Sequence, residues 1–423
     1  MFRPVRGMKD LYGPDAEKYN FIFTKIKAVG ESYGFNLIYT PLLENTDVFQ
    51  RSIGDETDVV SKEMYTFLDK GNESMTLRPE GTAGVIRSVV SENLAQKLPI
   101  KLMYCGEMFR YDRPQKGRFR QFRQIGFEYI GDKSPYTDVL LIAMAAESLQ
   151  AIGILDFNIK INTLGDEETR ENYTKAIVKY LSRHEENLSE DSKLRFKRNP
   201  LRILDSKDKR DLDICSMAPI IMDYLNKESR QYFEKVCKLL EACKINYEIN
   251  NFLVRGLDYY SHTAFEIQSA NTSYREALGG GGRYDKLLSI FGGPDVSGIG
   301  FALGIERLML ILKNGILVRE PIRVAVIPVD EPENDYSFSI FRELQTCGIN
   351  ADFIHIGNLS KKMKTADRLG VKIAVILGEA EMKSGTATIK IMDSSDTSEK
   401  HKTIDINKLT AFLKWNIEER DRA

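Results

Sequence analysis

Arg120, Phe122, Gln124, Gly126 and Glu128 stand two apart along one stretch of the chain. In an extended strand such residues share a face. That face then carries a cation, a flat ring, an amide, a gap and a carboxylate in a row. A packing face does not have this make-up, because each buried polar group costs unless it is hydrogen-bonded. Two readings stand level: a face built for ligand chemistry, or the solvated face of an edge hairpin.

Three further places raise the same question. In TLRPEGTAG, Pro79 stops a strand, and Glu80 and Thr82 sit on the turn into the next helix. A carboxylate and a hydroxyl there could hold an ammonium group, or simply cap the helix, the better reading on these residues alone. In LVRGLDYY, Arg255 interrupts an apolar, aromatic run. A buried arginine needs an anionic partner, which is either Asp258 nearby or a ligand phosphate or carboxylate. Arg307 projects from the first turn of a helix, where a cation opposes the dipole. A bound phosphate would offset that. Gly279 to Gly282 lack the lysine and hydroxyl of a Walker loop and the dinucleotide GxGxxG spacing. They allow close backbone approach to a flat or charged ligand.

The elements that must position these residues follow from pattern. Lys101–Arg110 and Phe119–Ile130 read as two strands joined by a basic loop, Tyr111–Arg118. Helices are expected at Ala16–Tyr33 and Thr137–Ile152, strands at Phe35–Thr40 and Phe157–Thr163, and a hairpin at Met64–Leu68 and Met75–Leu77. From Asp166 to about Tyr247 glycine vanishes and helical periodicity dominates, as in a helical insertion. GIGFALGIERLMLILKNG reads as a glycine-rich strand entering a helix that ends at Gly315. Past a link near Lys313–Pro321, strands and helices alternate to the C-terminus, as one α/β domain does.

Composition sets limits. At 423 residues the chain exceeds one ordinary core, so two or three domains are expected. Its net charge of −1 gives no global pull toward polyanions, so nucleic acid must be met by a local patch. Such a patch exists: Lys101 to Arg123 holds seven Lys or Arg against Glu107 and Asp112. The five cysteines are scattered without a CxxC pair, which argues against structural zinc and a disulfide framework. No run reads as a signal core or a membrane span, so a cytoplasmic protein is expected.

Taken in order, the hairpin with FRQFRQIGFE, TLRPEGTAG, LVRGLDYY, GGGGRYD and GIGFALGIERL resemble the histidyl-tRNA synthetase family of class II aminoacyl-tRNA synthetases. The resemblance covers nearly the whole chain. It implies an α+β fold: an antiparallel sheet of six to seven strands flanked by helices, a helical insertion and a C-terminal α/β anticodon-binding domain. The implied divisions are 1–165 and 248–318 for the catalytic core, 166–247 for the insertion and 322–423 for the anticodon-binding domain. The implied reaction is ATP-dependent activation of L-histidine, with Mg2+, and transfer of the histidyl group to tRNA(His), in a homodimer.

The resemblance also implies roles. Arg110, Arg255 and Arg307 would be catalytic, Arg110 and Arg255 at the α-phosphate and Arg307 at the γ-phosphate. Phe122 would stack on adenine, with Asp112, Arg118 and Arg120 on the nucleotide. Glu80, Gly81 and Thr82 would hold the amino group. Gln124, Glu128, Tyr259, Tyr260 and Tyr284 would line the histidine pocket, with Glu128 accepting from the imidazole. Arg113 and Gln115 would meet the acceptor end of the tRNA. Asp112 departs from the family's usual glutamate. No protein side chains are expected to ligate a metal, and His262 reads as a strand residue. The rival is a catalytically silent histidine-binding relative, similar to the regulatory subunit of ATP phosphoribosyltransferase. It lacks the C-terminal domain and has usually eroded the arginines that are present here.

Overall fold

The hairpin forms at the expected place. In the computed structural model, which describes residues 2–54, 56–270, 277–312, 323–392 and 401–422, Ile100–Phe109 pairs antiparallel with Gln121–Ile130. The two strands sit inside an eight-stranded sheet. Its order is Asn36–Leu37, Ile100–Phe109, Gln121–Ile130, Gly298–Gly304, Ala277–Tyr284, Ser261–Ser269, Phe157–Thr163 and Glu248–Ile249. The six long strands run antiparallel; only the two-residue edge strands pair in parallel. The edge strand is shorter than the expected Phe35–Thr40.

Alternation decides what each face of this sheet meets. Phe127, Phe265 and Phe301 point to one side, where Phe127 and Phe301 stack with ring centroids 5.0 Å apart. Helices Pro14–Ser32 and Pro135–Ala151 cover that side with Ile22, Ile26, Leu141 and Ile142, all fully buried. Residues between the phenylalanines, among them Gln124, Glu128 and Gly300, look to the other side. A three-stranded sheet, Leu43–Asn45, Ser74–Leu77 and Tyr65–Leu68, lies apart from the large one. It contains the expected hairpin.

Residues 166–247 hold helices and turns and no strand. Their packing divides them. Tyr173, Ile177, Leu181, Ile203 and Ile221 make a small core of their own. Helix Lys227–Ala242 instead sends Phe233, Val236 and Leu240 into the main core.

The chain forms two compact units, Met1–Ile316 and Leu317–Ala423. The expected link at Lys313–Pro321, with the helix end at Gly315 and the domain limit at 318, lies outside the described residues. In the second unit, strands Ala351–Phe353, Val324–Pro328 and Ile373–Leu377 run parallel. Thr386–Ile391 and His401–Asp405 complete the sheet antiparallel. Helices Asn334–Thr346, Leu359–Arg368 and Ile406–Arg422 match the expected alternation. Helix Glu379–Ser384 and strand His401–Asp405 were not anticipated. Both are short, and the strand is largely exposed, so neither carries a strong apolar period.

Candidate active site

The polar face of the large sheet floors a cavity of about 320 Å3. Its walls come from the helix Thr82–Ser91, the loop before Tyr260 and the basic hairpin loop. Where the sheet meets the cavity, glycines make room for side chains. A Cβ at Gly300 would overlap Glu128 Oε2, one at Gly298 the Tyr284 ring, and one at Gly282 or Gly280 would press on Tyr260 or Arg255. Gly81 and Gly126 both face the ring of Tyr104. Gly280 and Gly282 of the glycine run thus seat the protein's own side chains, and Gly279 and Gly280 also line the cavity, where close backbone approach to a ligand is expected.

One end of the cavity is aromatic and carboxylate-rich. Thr82 Oγ1 donates to Glu128 Oε1 at 2.6 Å, and Tyr284 Oη donates to Glu128 Oε2 at 2.6 Å. Both hydroxyl-bearing residues line the cavity, and Glu128 lies directly behind them. Tyr259 packs on Tyr260 at 4.6 Å and edge-on to Tyr284 at 5.9 Å between ring centroids. Gln124 also lines this end, and its Oε1 is buried with no partner. Glu80 does cap its helix, accepting from the N–H groups of Thr82 and Ala83 at 2.7 Å each. It lines the cavity as well, so the two readings of this turn are both met.

The other end collects guanidinium groups. Arg110 Nε donates to the Pro79 carbonyl at 2.8 Å, and its guanidinium lies 5.5 Å from the centre of the Phe122 ring. Arg307 Nη1 donates to the Ala277 carbonyl at 2.6 Å. Arg118 pairs with Asp112 at 3.3 Å. All of these line the cavity, as does Arg255. The nearby acid Asp258 does not serve Arg255. Its partner is Glu266, 3.1 Å from Nη1, while Nε is buried without one. Asp258 turns the other way, toward Arg170 and Asn199.

Some expected residues lie outside this cluster. Arg120 stacks on Tyr111, 3.7 Å from the ring centre, and packs against Gly7. Gly81 sits at the start of its helix behind Tyr104. Arg113 and Gln115 are exposed on the hairpin loop. His262 is in the strand Ser261–Ser269, 3.5 Å from Asp285, and burial pushes its pKa down. Sequence reasoning missed Tyr104, Asp205, Glu266 and Glu306, which all line the cavity. Tyr104 was legible in principle, since it lies opposite Gly126 in the hairpin register. Nothing local marks the three acids.

Burial sets the electrostatics. Loss of water pushes the Glu128 carboxyl up from 4.5 to about 8, against the two hydroxyl bonds; the neighbouring Glu80 adds to the rise. Desolvation also raises Glu80, opposed by its two backbone N–H bonds. The phenols of Tyr104, Tyr259 and Tyr284 are raised far above their ordinary value by burial, so they stay protonated donors. The arrangement can therefore hold a polyanion at one end and a compact polar group, met by hydroxyls and acceptors, at the other.

The model of the family described as histidyl-tRNA synthetase matches residues 7–308, and that of an anticodon binding domain matches residues 323–416. A histidine--tRNA ligase of Rhodospirillum rubrum is 44% identical over 97% of this chain and 98% of its own. One from Listeria monocytogenes is 41% identical over 96% of this chain and 97% of its own. The apo crystal structure of the S. aureus histidyl-tRNA synthetase superposes with a TM-score of 0.80 at 35% identity, covering 97% of this chain and 99% of that one. A Bacillus halodurans structure described as an ATP phosphoribosyltransferase regulatory subunit/histidyl-tRNA synthetase shares the fold at 20% identity and a TM-score of 0.66.

Proposed function

The chain belongs to the histidyl-tRNA synthetase family, and from that premise we propose that it activates L-histidine with ATP and transfers the histidyl group to the 3′ end of tRNA(His). The observation that carries this reading is one shared cavity: Arg110, Arg255 and Arg307 line it together with Thr82 and Tyr284, behind which Glu128 stands.

Activation is an in-line attack of the histidine carboxylate on the α-phosphorus of ATP, with pyrophosphate leaving. A cationic site speeds this by holding the reactants and stabilising charge that grows on phosphate oxygens. Arg110 and Arg255 are assigned to the α-phosphate. The unpartnered Nε of Arg255 supports this, since a donor remains for an incoming oxygen. Arg307 is assigned to the γ-phosphate. Phe122, beneath Arg110, offers a face for adenine, bordered by Asp112 and Arg118. In the second step a ribose hydroxyl of the tRNA attacks the carbonyl and AMP leaves.

Mg2+ enters on this reading as part of the nucleotide substrate, bridging phosphates. Among the described residues no three His, Cys, Asp or Glu side chains gather to hold a metal. Two acids at that end are engaged, Glu266 by Arg255 and Glu306 by Arg123.

Histidine is recognised through hydrogen bonds, a mode that rejects analogues lacking the ring N–H. Gln124 Oε1 is a waiting acceptor. Glu128 keeps a second lone pair on each oxygen besides those used by Thr82 and Tyr284. Glu80 and Thr82 receive the α-amino group, and Tyr259 and Tyr260 wall the ring. Arg113 and Gln115, both exposed on the hairpin loop, are assigned to the acceptor end.

A homodimer goes with the reading. Tyr39, Leu42, Leu43, Phe67 and Leu68 are exposed on and beside the three-stranded sheet, an apolar area suited to a second copy. So does a cytoplasmic location; among the described residues no helix is long and apolar enough to cross a membrane. The deciding experiment is ATP–pyrophosphate exchange against all twenty amino acids. Exchange with histidine alone is expected. Histidine binding without exchange would support the silent regulatory relative instead.

A further inference from the structure

The loop Val254–Tyr260 brings Arg255, Tyr259 and Tyr260 to the cavity, and Asp258 faces away from it. Arg170 donates through Nη1 to the Asp258 carbonyl at 2.7 Å and through Nη2 to Oδ1 at 3.4 Å. Asn199 Nδ2 lies 3.1 Å from each carboxylate oxygen. Arg170 belongs to the helix Glu167–Leu181, and Asn199 follows the helix Glu190–Arg198, so both come from the helical stretch 166–247. On the opposite flank the Asp258 N–H donates to the Ile53 carbonyl at 3.0 Å. Gly54 follows with φ of 96°, and a Cβ there would press on the Asp258 carboxylate.

Behind the loop lies a small cavity of about 30 Å3, lined by Arg170, Asn199 and Arg202 on one side and by Arg255, Asp258 and Tyr260 on the other. Nε of Arg202 is buried there without a partner. The loop is thus not packed solid from the rear. A segment backed by a void is located by its polar ties more than by dispersion contacts. Those ties converge on Asp258.

We propose that Asp258 is a positioning residue: by gathering Arg170 and Asn199, it sets the loop so that Arg255 and the two tyrosines face the substrates, and makes the helical stretch a determinant of histidine activation. The inference rests on the roles given above to Arg255, Tyr259 and Tyr260.

The test uses the full-length enzyme and pyrophosphate exchange. Asn199→Ala removes a donor without altering the loop, Asp258→Ala removes the acceptor, and the two are combined. Asn199→Ala is expected to lower kcat/KM for histidine roughly 10-fold, the loss of one hydrogen-bonding group on a carboxylate, and Asp258→Ala by at least as much, since it frees Arg170 as well. The double variant should be no worse than Asp258→Ala, because that change already removes the Asn199 contact. Asp258→Asn keeps an acceptor oxygen and should recover most of the activity. Ser192→Ala is the control: its hydroxyl donates to the buried Asp211 within the same helical stretch, away from the loop. It should lower Tm and leave the exchange constants unchanged. Wild-type constants in both single variants would overturn the proposal and leave the reading of function standing. Equal loss in Ser192→Ala would overturn it too, because general loosening would then explain the effect. No exchange by the unmodified chain would overturn the reading on which the proposal rests.

Discussion

A buried carboxyl held by two hydroxyls makes Glu128 sensitive to small changes. Glu128→Ala is expected to abolish most histidine-dependent exchange while circular dichroism stays that of the wild type. Normal activation in that variant would refute the imidazole contact. Its titration gives a second prediction. The folded value of about 8 lies above the ordinary 4.5, so the folded state binds more protons than the unfolded chain between the two. Stability from this group therefore falls as pH rises through that window. Glu128→Gln, which cannot ionise, should gain in Tm relative to the wild type between pH 5 and pH 8. A flat difference across that range would mean that burial does not raise the carboxyl. At the phosphate end, Arg255→Ala should cost about 10²–10³-fold in exchange rate, the usual scale for losing one preorganised charge donor. Quenched-flow measurement of adenylate formation checks it.

At the scale of elements, register does the positioning. The strand Gln121–Ile130 pairs with Gly298–Gly304 so that Gly300 lies opposite Glu128. Gly300→Ala should accordingly raise KM for histidine at least 10-fold, because the added methyl occupies the place of Glu128 Oε2 and also presses on the Phe127 carbonyl of the paired strand. An unchanged KM would show that the carboxylate can move aside. Arg123 ties the same strand to the helix Ile305–Ile311: its backbone N–H donates to Glu306 Oε2 at 2.8 Å and its guanidinium to Oε1 at 3.2 Å. That places Arg307 over the cavity edge. The alternating face of the hairpin was legible because period two needs no knowledge of neighbours. The meaning of the glycines was not, since each one's steric partner comes from a remote strand or loop. The same limit left the partner of Arg255 open between Asp258 and a ligand: the kinked loop turns the two side chains apart, and a neighbouring strand supplies Glu266.

At the scale of the molecule, the alternation of strands and helices past residue 322 was enough to separate a second unit, and its two unanticipated elements are the short ones. The first unit contains every residue assigned to activation, and the second matches an anticodon binding domain. Removing residues 323–423 should leave histidine-dependent exchange near the wild-type rate and reduce charging of tRNA(His) by at least 10-fold. Loss of exchange on truncation would mean that the first unit depends on the second for its fold. What the sequence left undivided is the helical stretch 166–247. Its charge and periodicity are uniform, yet helix Lys227–Ala242 packs on the main core while the preceding part surrounds Tyr173 and Ile203. Amphipathic helices look alike whichever apolar surface they cover.

The nesting of pocket side chains in glycine recesses has a consequence for inhibitors. Resistance to a competitive compound often arises by enlarging a residue that touches it. Here Tyr104, Tyr260, Tyr284 and Glu128 already fill recesses at Gly126, Gly282, Gly298 and Gly300. A bulkier residue at any of those glycines would press on these side chains, of which Tyr260, Tyr284 and Glu128 are the ones assigned above to histidine. A compound confined to the histidine end would meet a wall that cannot thicken without disabling the catalyst, whereas the exposed hairpin loop offers no such protection.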